Sequence, residues 1–141
     1  MAFILRSGRS VMEWYPAATS TAFTANGLVY FNGSGAIIPA DSTSGDHIGV
    51  IQKAITSASA EYSVSTPVMV EKAYEDNIYE ADVTGTLTTA MVGNQYDLSD
   101  SVTVNCAAQS KKVVTCVGFI SATKGLFKIN AVIENDNVAT T

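Results

Sequence analysis

Short apolar runs recur along this chain at spacings of roughly 8–12 residues, each closed by turn-forming residues, and no helical period interrupts them. Asn26-Gly27 and Asn32-Gly33 bracket Leu28-Val29-Tyr30-Phe31. Asn-Gly is a strong turn signal because both residues tolerate positive φ. A hairpin over Gly33-Ser34-Gly35 then leads to a strand at Ala36 to Pro39. Further strands are predicted at Ile48 to Ile51, Val68 to Val70 and Ile78 to Val83, the last two turning at Glu75-Asp76-Asn77. Gln95 to Leu98, Val102 to Val104 and Val113 to Ile120 follow. The final segment alternates most cleanly, with Phe127, Ile129, Ala131 and Ile133 on one face and Lys128 and Asn130 on the other. Asp41 to Asp46 and Ala54 to Glu61 read as loops, and Thr86 to Val92 as a loop or a single helical turn. The expected fold is mainly β: a small β-barrel or sandwich with an extended N-terminal arm.

The arm is expected because the start of the chain differs in kind from the rest. Residues 1–21 hold two Arg and one Glu, a net +1, and residues 22–141 hold six Lys and twelve acids, a net −6. Met1 to Thr21 is therefore taken as an arm and 22–141 as a single β-domain, long enough for a core without disulfide or metal support. The formal charge of −5 disfavours nucleic acid as a partner. No apolar run approaches a membrane span, and Ala2 to Leu5 is too short for a secretory h-region, so manufacture in a cytoplasm is expected. Cys106 and Cys116 accordingly default to buried thiols.

Catalytic vocabulary is sparse. His47 has Ser42, Ser44, Asp41 and Asp46 near it in sequence, but adjacent loop residues rarely assemble a nucleophile, base and orienting acid. A solvated or turn-capping His47 is expected. Gly33-Ser34-Gly35 lacks the Lys and the helix of a phosphate loop. No His/Cys cluster has zinc spacing, and Glu71, Glu75, Asp76, Glu80 and Asp82 do not follow a calcium-loop pattern. A solvated acidic face is the plain reading of those acids, and a charged turn that of Lys111-Lys112. No catalytic residue, metal or cofactor is expected.

The arm carries the candidate binding residues: Phe3, Ile4, Leu5, Arg6, Arg9, Val11, Met12, Trp14 and Tyr15. One reading makes the segment a first strand that completes the barrel, with Trp14 in the core. The other leaves it to be ordered on a partner. Ordering so many residues costs more backbone entropy than burial of Phe3, Trp14 and Tyr15 returns. A partner-bound arm would therefore have to add a strand to a sheet edge, and several copies would have to act together. An oligomer follows, most simply a trimer.

Gly27-Leu28-Val29-Tyr30, Asp46-His47-Ile48-Gly49-Val50, Val68-Met69-Val70-Glu71, Val92-Gly93-Asn94-Gln95-Tyr96-Asp97-Leu98 and Lys124-Gly125-Leu126-Phe127-Lys128-Ile129 together resemble the head decoration (capsid cement) proteins of tailed bacteriophages. The resemblance spans most of Gly27 to Val132 and is one of rhythm, hydrophobic strands and Gly turns in order. It implies a non-enzymatic, often trimeric protein on the virion's capsid exterior that clamps neighbouring major capsid protein subunits and resists the pressure of packaged DNA. It also implies that an N-terminal segment supplies the capsid contact, here Phe3 to Tyr15. Two alternatives stand beside it: a tail, neck or baseplate β-component, and a carbohydrate-binding β-module using Tyr30, Tyr62, Tyr74, Tyr79 and Tyr96 as a stacking platform.

Overall fold

The computed structural model describes residues 3–41, 47–64 and 66–130. Their strands are β1 (Ile4–Ser7), β2 (Met12–Pro16), β3 (Leu28–Phe31), β4 (Ile37–Pro39), β5 (Gly49–Ile51), β6 (Pro67–Lys72), β7 (Ile78–Thr84), β8 (Gln95–Asp100), β9 (Thr103–Asn105), β10 (Val114–Ser121) and β11 (Lys124–Ile129). Single 3-10 turns occupy Ala60–Tyr62 and Thr89–Met91. The mainly β expectation holds, in its barrel form.

Strands β7, β11, β10, β8 and β9 hydrogen-bond in that order, and β9 returns to pair in parallel with β7, which closes a five-stranded barrel. Closure needs alternation along each wall strand. It is there in Tyr79, Ala81 and Val83 of β7, Phe127 and Ile129 of β11, and Val114 and Cys116 of β10, all buried in one core with Tyr96, Leu98 and Val104. Gly125 keeps that interior from overfilling, because a Cβ there would stand 2.7 Å from Leu87 Cδ2 and 3.1 Å from the Phe127 ring.

A second sheet runs β2-β6-β5-β3-β4. Its outer strands approach at one end only, where the Ala18 amide donates to the Ile37 carbonyl (3.0 Å) beside an Ala17–Ile37 bridge. Neighbouring residues on its strands serve different cores. Leu28 and Val50, paired in register, join the barrel core, while Val29, Ile37, Ile51, Val68 and Val70 fill a second core with Phe23, Ile48 and Ile55. Here Leu28 and Val29 of β3 and all of β5 are buried on both faces, so they read in sequence as continuous apolar runs rather than alternating ones.

The expected extended arm is replaced by two paired strands. β1 takes the first half of one edge of β7, over Ile78–Glu80, and β9 takes the second half, over Asp82–Thr84. β2 pairs with β6 across Met12–Pro16. Phe3 is 1% exposed and meets the Tyr79 ring edge-on at 6.3 Å, where burial pushes the Tyr79 hydroxyl up to about 12. The reading of a first strand completing the barrel is met only in part: β1 joins β7 as a sixth strand on a barrel that β9 already closes, and Trp14 lies outside the core, 63% exposed. Ordering is affordable because Phe3 and the β1 and β2 backbones find partners on their own chain.

Between β1 and β2 the chain crosses from the barrel to the second sheet over Asn77. The Asn77 side chain accepts from the Arg9 amide (2.8 Å), and its Nδ2 donates to the Arg9 carbonyl (3.0 Å) and the Tyr79 hydroxyl (3.2 Å). Gly8 reaches φ +120 at this crossing, and a Cβ on it would lie 2.1 Å from Asn77 Oδ1. Replacing Phe3 with Ala is expected to cost about 3–5 kcal/mol, and Asn77→Ala about 1–3 kcal/mol. Removing residues 1–16 should abolish the cooperative thermal transition; a truncated chain melting like the full one would show the segment to be an appendage after all.

Candidate interaction surface

The two strands built from the N-terminal segment differ in what they leave uncovered. Lys72 donates its amide to the Val11 carbonyl (2.8 Å) and Ala17 its amide to the Thr66 carbonyl (3.5 Å), so the odd-numbered positions of β2 bond to β6. In an antiparallel ladder the intervening residues turn their amides and carbonyls the other way. Met12 and Trp14 therefore direct theirs to the edge of the second sheet that no described strand covers. The two residues are 42% and 63% exposed. Open backbone and exposed apolar surface thus coincide on the same two residues. Pro16 follows without an amide hydrogen, and Ala18 is already bonded to Ile37, so the open stretch is short.

The remaining candidates divide. Val11 is exposed and adjoins the strip. Tyr15, in register with Val68, packs against the second core and meets Phe31 edge-on at 5.7 Å. Phe3 presents no surface, and Ile4 and Leu5 are half-buried in β1. Arg6 pairs with Glu80 at 2.7 Å, and Arg9 lies 3.9 Å from both the Asp76 carboxylate and the Tyr74 ring centroid. Both arginines therefore hold the segment to its own domain. Further exposed apolar residues that the sequence did not mark form a second set: Phe119 and Ile120 of β10 and, beside the 3-10 turn at Thr89–Met91, Val92.

Several other expectations are corrected. His47 is fully buried, tilted against the Tyr30 ring at 6.2 Å, rather than solvated. Ser42, Ser44 and Asp46, its suggested partners, lie outside the described residues, as do Ala131 and Ile133. The acids are not one solvated face. Glu71 is buried and accepts from the Ser10 hydroxyl at 2.7 Å, and Lys124 lies between Glu80 and Asp82 at 3.5 and 3.7 Å. The Arg6 hydrogen bond, helped by Lys124, holds the Glu80 carboxyl below the usual carboxylate range. Tyr79 and Tyr96 are core residues, so the five tyrosines do not form a common stacking face. Cys106 and Cys116 are free and buried, as expected, and burial raises both thiols. No group of three His, Cys, Asp or Glu among the described residues is placed to hold a metal ion.

The turn carrying Lys111 and Lys112 is built more firmly than a charged turn needs. Asp97, nearly buried in β8, accepts from the amides of Ser110 (3.2 Å), Lys111 (2.7 Å) and Lys112 (2.8 Å) and from the Ser110 hydroxyl (3.0 Å). Asn130 Nδ2 donates to the Lys112 carbonyl at 2.8 Å, and Gln109 Nε2 to the Gln95 carbonyl at 3.0 Å. These contacts hold Lys112 at φ +54, a conformation that costs a side-chain-bearing residue about 1–2 kcal/mol. Beside the turn lies a surface depression of about 460 Å³ lined by Glu75, Thr115, Val117, Lys128, Ile129 and Asn130.

No protein-family model matches this chain, and no curated protein matches it.

Burial raises the Asp97 carboxyl, but the amides of Lys112, Lys111 and Ser110 and the Ser110 hydroxyl outweigh it and leave it below its ordinary value. A carboxyl depressed on folding contributes stability above its unfolded value, near about 4, and loses it as the pH falls through the folded one. Denaturant midpoints should therefore drop below about pH 4 more steeply in the natural chain than in Asp97→Asn. Parallel acid limbs for the two proteins would remove Asp97 as the cause.

Proposed function

We propose that this chain is a non-enzymatic structural protein of a tailed-bacteriophage virion. It sits on the outer surface of the capsid lattice and clamps major capsid protein subunits through the β2 edge. The observation that carries the reading is the coincidence at Met12 and Trp14 of main-chain groups left unpaired among the described residues with large exposed apolar side chains. Large exposed apolar side chains grouped in one place mark interaction sites, and an extended partner strand added at β2 would satisfy the open amides and carbonyls. The acidic charge of the chain suits an exterior position better than a DNA-facing one. This supports an attachment role built into a folded edge rather than into a free arm.

A homotrimer fits the same reading, since a single short strip binds weakly and copies on one assembly act together. The second exposed group, Phe119 and Ile120, is the surface we assign to contact between copies.

Trp14→Ala and Met12→Ala touch no core, so the melting curve should stay within about 0.5 kcal/mol of the natural chain. Occupancy on purified parent heads, read by cryo-microscopy as surface protrusions, should fall by at least about tenfold, the loss of roughly 1.4 kcal/mol per site. Full decoration by the double variant would reject the β2 edge as the contact. Ile120→Asp should convert trimer to monomer in sedimentation; purified protein that instead forms rings or tubes would point to a tail or baseplate component.

A further inference from the structure

Charge pairing on this chain leaves a remainder in one place. Arg6, Arg9, Lys53 and Lys124 each meet a carboxylate, and Lys72 is buried. Lys111, Lys112 and Lys128 meet none among the described residues. All three gather at one end of the β10–β11 ladder. Lys128 is in register with Thr115 and lines the depression, and the Lys112 carbonyl is tied to Asn130 on the same wall. Lys128 and Glu75 line the depression together, and the backbone of Lys111 and Lys112 is held beside it, so three lysines and the Glu75 carboxylate share this end of a protein of net charge −5.

We propose that the turn 107–112 and the outer face of β11 form a docking surface for an acidic, carboxylate-rich segment of another protein. The lysines sit on backbone fixed by Asp97 and Asn130, so little further order has to be imposed when a partner binds. The depression accepts a few residues, with Thr115 and Asn130 as polar contacts and Val117 and Ile129 as an apolar floor. A DNA duplex, with one charge every ~1.7 Å, would bring most of its phosphates against the acidic remainder of the surface. A second copy would arrive with the same net negative charge. A short acidic peptide segment meets neither obstacle. The surface is separate from the β2 strip, and the inference holds whether or not that strip contacts a capsid.

The test uses the full chain, labelled for amide NMR and titrated with an oligoglutamate peptide, an oligoglutamine peptide of equal length and a short DNA duplex. Oligoglutamate should shift the amides of Lys111, Lys112, Thr115, Lys128 and Asn130. Its affinity should fall by at least about tenfold between about 0.1 and about 1 M salt, as the screening length shortens from about 10 to about 3 Å. The triple variant K111A/K112A/K128A, which touches no buried residue, should fold normally and lose binding at least about fivefold, whereas Trp14→Ala should keep it. Equal binding by the triple variant, or tighter binding of the duplex, overturns the proposal. So does a chain ending at Asn130 that binds oligoglutamate about tenfold better, because residues 131–141, with Glu134 and Asp136, would then be the natural occupant.

Discussion

The side chain of Asn77 ties the two halves of this molecule together. Its amide group bonds both the N–H and the C=O of Arg9, doing for one residue what a neighbouring strand does for many, at the point where the chain leaves the barrel for the second sheet. Buried polar groups are tolerable only when partnered, and Asn77 reaches the Tyr79 hydroxyl as well. The arrangement fixes where β1 ends and where β2 begins. It thereby decides that Phe3 enters one core while Met12 and Trp14 face solvent. What the chain can offer a partner depends on this crossing.

Strand positions were legible from the sequence because turns were. Asn26 adopts φ 64, and Gly33 and Gly35 adopt φ 89 and 90, so the punctuation around β3 did what its chemistry predicts. β7, β10 and β11 fell where the apolar runs lay. The fate of residues 3–16 was not legible, because an aromatic segment with two arginines reads alike whether it waits for a partner or pairs with its own domain. Only the complementary positions, Glu80 for Arg6, Asn77 for Arg9 and Glu71 for Ser10, separate those outcomes. They lie more than sixty residues away in sequence.

The docking candidates show the same limit. Trp14 stood out by residue type, yet its value as a contact rests on hydrogen-bond parity along β2, which no composition reveals. Lys111 and Lys112 read as an ordinary charged turn because Asp97, which accepts from both their amides, lies fourteen and fifteen residues upstream. His47 looked solvated because its neighbours in sequence are polar, but packing against Tyr30 decided its burial.

Pro16 limits more than a hydrogen-bond pattern. A long exposed sheet margin invites like molecules to stack without end. Here the open stretch spans Met12 to Trp14 before a residue lacking an amide hydrogen and a bridge to Ile37 shut it off. Such a margin is too brief to template fibril growth at high concentration, yet long enough to lodge against one shaped recess. On the attachment role proposed above, copies of the chain stay dispersed until they meet the surface that fits them.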